Sequence, residues 1–144
     1  MVSPLVESFD DLGLQPALVE ALAAEGIERP TALQREVIPV LRRATSAAIE
    51  AAPGSGLLVA YGAPLLDRLE PGRGQPSTIV LTAARERGHM LARSLARLAV
   101  STGHQVGALA GSWTRPEEAD ILFSTPKDLE AAVRASLVKL DQVE

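Results

Sequence analysis

Apolar positions along the chain alternate between a helical period and short continuous runs. Leu18, Val19 and Leu22 recur at helical spacing between Pro16 and about Glu25, with proline suited to a first turn and Gly26 to a stop. A second helix is predicted after Thr31 and runs to about Arg43, with Leu33, Val37, Val40 and Leu41 as its apolar stripe and Pro39 as a point of kinking. Ala47–Ala52 reads as a weak strand in which only Ile49 is β-branched, followed by the tight loop Pro53-Gly54-Ser55-Gly56. Leu57 to Leu69 reads as a largely apolar, buried helix containing Pro64, and the Pro- and Gly-rich stretch 70–77 as a surface loop. Thr78–Thr82 is a buried strand, and Ala84 to Val100 an amphipathic helix with Met90, Leu91, Leu95 and Leu98 on its core side. Gln105–Ala110 and Asp120–Ser124 read as strands, and Pro126 to about Leu137 as a last helix. Strands alternating with helices predict an α/β fold with a parallel sheet flanked by helices. No internal repeat is visible.

Composition narrows the class. A chain of 144 residues suits one domain and is long enough for a real core. With 47% hydrophobic and 22% charged residues it matches soluble globular proteins and not disordered ones. The absence of cysteine excludes a disulfide scaffold, a thiolate zinc site and a cysteine nucleophile, and the two histidines, His89 and His104, are too scattered for a metal site. No apolar run approaches the ~18 residues needed to span a bilayer, and Met1–Phe9 lacks a signal-peptide pattern, so a cytoplasmic protein without membrane attachment is expected.

The formal net charge of −4 opposes a generic nucleic-acid binder, but the charge is unevenly spread. Residues 1–34 carry one base and six acids, residues 35–115 ten bases and five acids, and residues 116–144 three bases and seven acids. The middle can therefore present a basic face. Twelve of the fourteen bases are arginine, which suits bidentate phosphate contacts and equally reflects a lysine-poor genome composition.

Parallel α/β folds bind ligands beyond the carboxyl ends of their strands. Three loops meet that condition. Ala51 to Leu58 contains Gly54, Ser55 and Gly56, small residues that let backbone N–H groups curl around a phosphate at a helix start. The same four residues also make an ordinary turn, and Leu57 and Leu58 stand where a phosphate loop has Lys and Ser/Thr. Thr31 and Gln34 fit a capping box; alternatively the Gln34 amide, which donates and accepts at once, reads an adenine edge. Thr82 to Glu86 leads into the long helix, on which Arg85, His89, Arg93 and Arg97 recur at spacing four. That row is either a phosphate-facing side or a solvated face opposite the core. Trp113 is the single tryptophan, able to stack on a base or pack on the core.

In this order and spacing the pieces resemble the first RecA-like domain of DEAD-box RNA helicases, over nearly the whole chain. Phe9 stands 17 positions before Gly26, like the upstream aromatic of the Q motif; Gly26, Pro30, Thr31 and Gln34 match that motif, which spans 9–34 here, with Ile38-Pro39 following. Ala51, Gly54, Ser55 and Gly56 match the start of motif I, Arg85-Glu86 the core of motif Ia, and Thr125-Pro126 motif Ib. Gly111 falls where the family has a glycine pair, with Ala110 in place of the first. The resemblance implies a partial, RecA-like (P-loop NTPase-type) helicase ATP-binding domain over 1–144. Phe9 would stack on adenine, Gln34 would hydrogen-bond it, and Gly54, Ser55 and Gly56 would shape the phosphate loop. Arg85, Gly111 and Thr125 would line an RNA backbone path, with little sequence readout.

Several positions depart from that pattern. Leu57 replaces the phosphate lysine, a loss of roughly 1.5–3 kcal/mol or about 10–150-fold in nucleotide affinity. Leu58 replaces the magnesium hydroxyl, Pro53 removes a loop N–H, and two leucines favour burial over contact with a triphosphate. Ala83 and Ala84 stand where motif Ia has proline and threonine, and Lys127 and Asp128 where motif Ib has glycine and arginine. Asp128 would repel RNA phosphate. The sequence stops at Glu144, before the motif II strand, so the family's magnesium carboxylate, water-activating groups and arginine fingers are expected to lie outside it.

These features imply a degenerate, truncated helicase-like domain without ATPase or unwinding activity of its own, holding ATP or another adenine nucleotide and RNA weakly, with magnesium not retained by this chain alone. The alternative is an interaction module or half of a split helicase that associates with a protein partner, or with itself, through an exposed sheet edge and the apolar 57–69 segment. An active ATP-dependent helicase is the third reading.

Overall fold

A computed structural model describes residues 8–110 and 115–144. Its contacts divide into two compact units, Met1–Arg68 and Leu69–Glu144.

Among the described residues the first unit is helical. A 3₁₀ turn, Phe9–Leu12, precedes α1 (Pro16–Ala24), α2 (Ala32–Arg42) and α3 (Leu57–Arg68). All three helices fall within about two residues of the expected bounds, and α2 and α3 continue through Pro39 and Pro64. Phe9, Leu12, Leu18, Leu22, Val37, Ile38, Val59, Ala60, Ala63 and Leu66 are buried. Because α3 is spent on this core, it does not offer the apolar docking surface expected of residues 57–69; of its large apolar side chains only Leu57 is exposed.

One polar cluster binds the pieces of this unit. The Asp67 carboxylate on α3 accepts from the Gln15 N–H at the start of α1 (2.8 Å) and from Arg42 Nε on α2 (2.9 Å). The Arg42 Nη1 donates in turn to the Leu12 carbonyl (3.2 Å). Asp67 is thus a nearly buried acceptor whose charge is balanced by a half-buried arginine.

The expected strand at Ala47–Ala52 is absent. The segment carries no regular structure, and Ala47, Ala48 and Glu50 are exposed. A strand needs a ladder partner, and an alanine-rich run with one β-branched residue has little side-chain packing to supply in its place.

The second unit holds the sheet. Strands β1 (Thr78–Leu81), β2 (Val106–Ala108) and β3 (Ile121–Ser124) are parallel, in the order β1-β3-β2. Thr78 pairs with Ile121 and Leu81 with Ser124 on one side of β3; Val106 pairs with Ile121 and Ala108 with Phe123 on the other. The central strand is buried throughout, as a strand covered on both faces must be. α5 (Pro126–Arg134) supplies Leu129 and Ala132 to a cluster with Leu109, Leu122 and Val138. α4 (Arg85–Ala99) approaches through Gly88, where an added Cβ would lie 3.0 Å from Thr82 Oγ1 and 3.8 Å from Phe123 Cβ.

That close approach changes the expected core side of α4. Met90 is 53% exposed, and Gly88, Ala92, Leu95, Leu98 and Ala99 are the buried positions. Leu95 and Leu98 are buried as expected, and Gly88 and Ala92 take the place expected of Met90, because at 100° per residue Gly88, Ala92 and Leu95 share a line that Met90 leaves.

Two buried polar groups fix the loops of this unit. Asp120 accepts from the Gly72 N–H (2.8 Å) and the Gln105 N–H (2.7 Å), tying the 70–77 loop to the entry of β2. His104 Nε2 donates to the Leu69 carbonyl (2.7 Å), and its Nδ1 lies 2.7 Å from the Thr102 hydroxyl oxygen.

Replacing Asp67 by alanine leaves the Gln15 N–H without its acceptor and the Arg42 guanidinium without its counter-charge. Denaturant unfolding is expected to report a loss of about 2–4 kcal/mol. A loss within ~0.5 kcal/mol would place the pair among weak surface ion pairs instead.

Candidate functional site

The glycine loop and the start of α2 form the first site, within the first unit. Thr31 is the N-cap of α2: its Oγ1 accepts from the Gln34 N–H (3.2 Å), and Gln34 Oε1 accepts from the Thr31 N–H (2.9 Å). The capping box read from sequence is therefore present. Its two side chains also reach outward. The Thr31 hydroxyl donates to the Ser55 carbonyl (2.7 Å), and Gln34 Nε2 donates to the Gly56 carbonyl (3.1 Å).

Helix α2 thus holds the glycine loop by two successive carbonyls. Gln34 is 2% exposed, and both ends of its amide are engaged by protein groups. Each end of the amide keeps one further position beside the bond it makes, an N–H on Nε2 and a lone pair on Oε1.

Gly54 and Gly56 both take left-handed backbone, with φ of 78° and 82°. Gly56 has a second constraint, because a Cβ there would run into Gln34 Nε2, whereas nothing lies within 4 Å of one on Gly54. Ser55 closes the turn, its N–H and Oγ both bonding the Ala52 carbonyl (3.2 and 2.6 Å). The Gly56 carbonyl accepts from the Ala60 N–H as α3 begins (3.1 Å). Leu57 and Leu58 occupy the first turn of α3; Leu57 stays exposed, contrary to the burial expected of it, and Leu58 is half-buried. Where a phosphate would lie against a helix start, this chain presents two aliphatic side chains. Phe9 is buried, 1% exposed, so its ring is part of the core of this unit.

The second site lies in the second unit, at the carboxyl ends of the neighbouring strands β1 and β3. Arg85 opens α4, and Thr125 caps α5 by accepting the Asp128 N–H (3.1 Å). Arg85 Nε and Nη2 donate to the two Asp128 carboxylate oxygens at 2.7 and 2.6 Å. Those hydrogen bonds hold the Asp128 carboxyl below its ordinary range, and the same pairing raises Arg85. Arg85 stands well out in solvent, while Asp128 is largely covered.

The rest of the expected basic row is divided. His89 Nε2 donates to the Leu109 carbonyl (3.0 Å), and Arg93 and Arg97 are exposed. Ala110, in place of a glycine, takes φ of 63°. Gly111 and Trp113 lie outside the described residues. No group of three or more metal-binding side chains occurs among the described residues.

Comparison with known proteins gives these two sites a setting. No protein-family model matches the chain. A human protein described as probable ATP-dependent RNA helicase DDX28 is 34% identical over 157 residues, covering 94% of this chain and 28% of that protein. The ATP-dependent RNA helicase SrmB of Haemophilus influenzae is 31% identical over 138 residues, covering 93% of this chain and 31% of its own length. The chain is a homologue of the DEAD-box RNA helicases.

As a DEAD-box homologue it spans less than a third of the length of these curated relatives. Solved structures agree on the fold. Saccharomyces cerevisiae Dbp5 bound to RNA and ADP BeF3 matches with a TM-score of 0.86 at 22% identity, over 96% of this chain and 37% of that one. A DEAD box protein from Methanococcus jannaschii matches with a TM-score of 0.80 at 23% identity, over 96% and 40%. The RecA-like α/β fold is therefore that of these neighbours.

Sequence reasoning missed the outward reach of the capping box and the partnership of Asp128 with Arg85. The motif order brought Thr31 near a phosphate loop, but the bonds to the Ser55 and Gly56 carbonyls depend on a packing angle that no local pattern records. Asp128 was visible as an acid in an arginine's place; its partner lies 43 residues away.

Substituting alanine at Gly56 and at Gly54 separates backbone strain from contact. Both variants put a Cβ at positive φ, at about 1–2 kcal/mol. Gly56→Ala must also displace Gln34, so chemical denaturation is expected to show it less stable than Gly54→Ala by at least ~1 kcal/mol. Equal losses would mean that Gln34 moves aside freely.

Proposed function

We propose that this chain is a DEAD-box-type RecA-like segment that holds adenine nucleotide weakly and does not hydrolyse ATP by itself. The observation that carries this reading is the pair Leu57 and Leu58 on the first turn of α3, directly after the glycine loop. A triphosphate at that turn needs a cation for its β/γ-phosphates and a hydroxyl for magnesium. Aliphatic side chains supply neither, and Pro53 withdraws one loop N–H. The N–H and the lone pair that Gln34 keeps beyond its two protein bonds would meet an adenine edge.

Magnesium and ATP are the family's cofactors; here the glycine loop and the α3 start would receive the phosphates, with Gln34 and Thr31 at the base side. The residues present fit a base and a weakly held phosphate tail better than a magnesium-bound triphosphate. RNA would face the other unit at the ends of β1 and β3, where Thr125 stands and Arg85 is engaged by Asp128.

A second reading is favoured by a separate observation. Beside the edge strand β1, Leu81, Leu129, Val133 and Leu140 line a shallow apolar cleft with Pro126, and Leu81 is 55% exposed. An interaction module would use that surface with the free edge of β1, and would self-associate or capture another chain.

Calorimetric titration of the chain with AMP and with magnesium-ATP, repeated on Gln34→Ala, separates these readings. The nucleotide reading expects AMP and ATP to bind about equally and weakly, and both to be lost in Gln34→Ala. ATP binding that exceeds AMP binding by more than ~100-fold would show a working phosphate site. No heat from either nucleotide at millimolar concentration, with sedimentation showing self-association, would favour the interaction module.

A further inference from the structure

We propose that Asp128 is a specificity-determining residue that closes the Arg85 site to RNA by occupying the guanidinium edge a phosphodiester would take. This inference rests on the reading of the β1–β3 end of the second unit as the RNA-facing side. Two parallel strands that pair directly, β1 and β3, bring the starts of α4 and α5 side by side. Arg85 rises from the first and Asp128 from the second. Nε and Nη2 of Arg85 meet both carboxylate oxygens, the same two-pronged geometry by which an arginine grips a phosphate. One edge of a guanidinium serves one such partner at a time, so carboxylate and phosphate exclude each other there.

The competitor is intramolecular and well placed. The Asp128 N–H is tied to Thr125 Oγ1 in the first turn of α5, and its side chain is 13% exposed against 58% for Arg85. The arginine reaches across to a carboxylate that is held still. An attached competitor acts at an effective concentration of the order of millimolar or higher, above any realistic RNA concentration. The acid thus also cancels the positive charge that would draw a polyanion to this crevice.

The test is fluorescence anisotropy with a labelled oligouridine 12-mer at low and rising salt, on the 144-residue chain and its variants. Asp128→Asn keeps the shape and the Thr125 cap while removing the charge. It is expected to bind at least roughly tenfold tighter than the unmodified chain, the gain set by one freed charge-assisted contact. The gain should disappear in Arg85→Ala/Asp128→Asn, which has the net charge of the unmodified chain. Arg85→Ala alone should leave the weak binding of the unmodified chain unchanged. Asp128→Ser repeats the measurement should the asparagine variant fold poorly, as thermal unfolding would report.

Two results overturn the proposal. If Arg85→Ala weakens binding of the unmodified chain, Arg85 is already open to RNA: the RNA-facing reading stands and the gate does not. If no variant binds RNA at low salt, the RNA-facing reading falls and the gate falls with it.

Discussion

The hydrogen bonds from Thr31 and Gln34 to the Ser55 and Gly56 carbonyls organise the first unit around the glycine loop. Capping a helix start is ordinary work for these residue types; doing so while anchoring a second segment is not. One four-residue motif therefore couples the start of α2, the loop conformation and the start of α3. Gly56 is required at the meeting point because its backbone is left-handed and because any side chain would fall on the Gln34 amide. On the proposed reading the loop keeps the frame of a phosphate-binding turn while leucines stand where phosphate would be gripped. Frame and chemistry are separable here, since the frame is held by backbone carbonyls and the chemistry would come from side chains on the next turn.

The second unit depends on another constraint, the parallel pairing of β1 and β2 to a fully buried β3. It places successive strand-to-helix turns along one end of the sheet, as this class of fold requires of a binding face. Arg85 and Asp128 belong to two of those turns, and the short bidentate pair between them is a consequence of strand adjacency. Gly88 lets α4 lie close enough on the sheet for that geometry to hold.

Most of the architecture was legible in the sequence. Among the described residues the five α-helices and three strands lie where periodicity and turn residues put them, because long amphipathic runs and β-branched runs are strong signals. Ala47–Ala52 failed as a strand because the described residues of its own unit offer no strand to pair with, a nonlocal condition that composition cannot express. Met90 failed as a core residue because hydrophobicity alone favoured it, whereas the buried face runs through Gly88, Ala92, Leu95 and Leu98 and Met90 lies off that line. The Q-motif and loop residues were found by their order. Of them, Gln34, Thr31, Ser55 and Gly56 come together through hydrogen bonds, Phe9 is placed in the core, and Arg85 and Thr125 meet at Asp128. Asp67, which joins α3 to α2 and to the start of α1, carried no local signal, since its partners lie 25 and 52 residues away.

The central proposal is that Leu57 and Leu58 are what chiefly disables the phosphate site. Its most direct test replaces them. Calorimetric titration with magnesium-ATP should compare the chain with Leu57→Lys/Leu58→Thr, using AMP as the reference ligand. The account predicts that the double variant binds magnesium-ATP about 10–150-fold more tightly than the unmodified chain, with AMP affinity unchanged. Equal magnesium-ATP affinity in the two proteins would contradict it and place the obstacle in the loop frame instead.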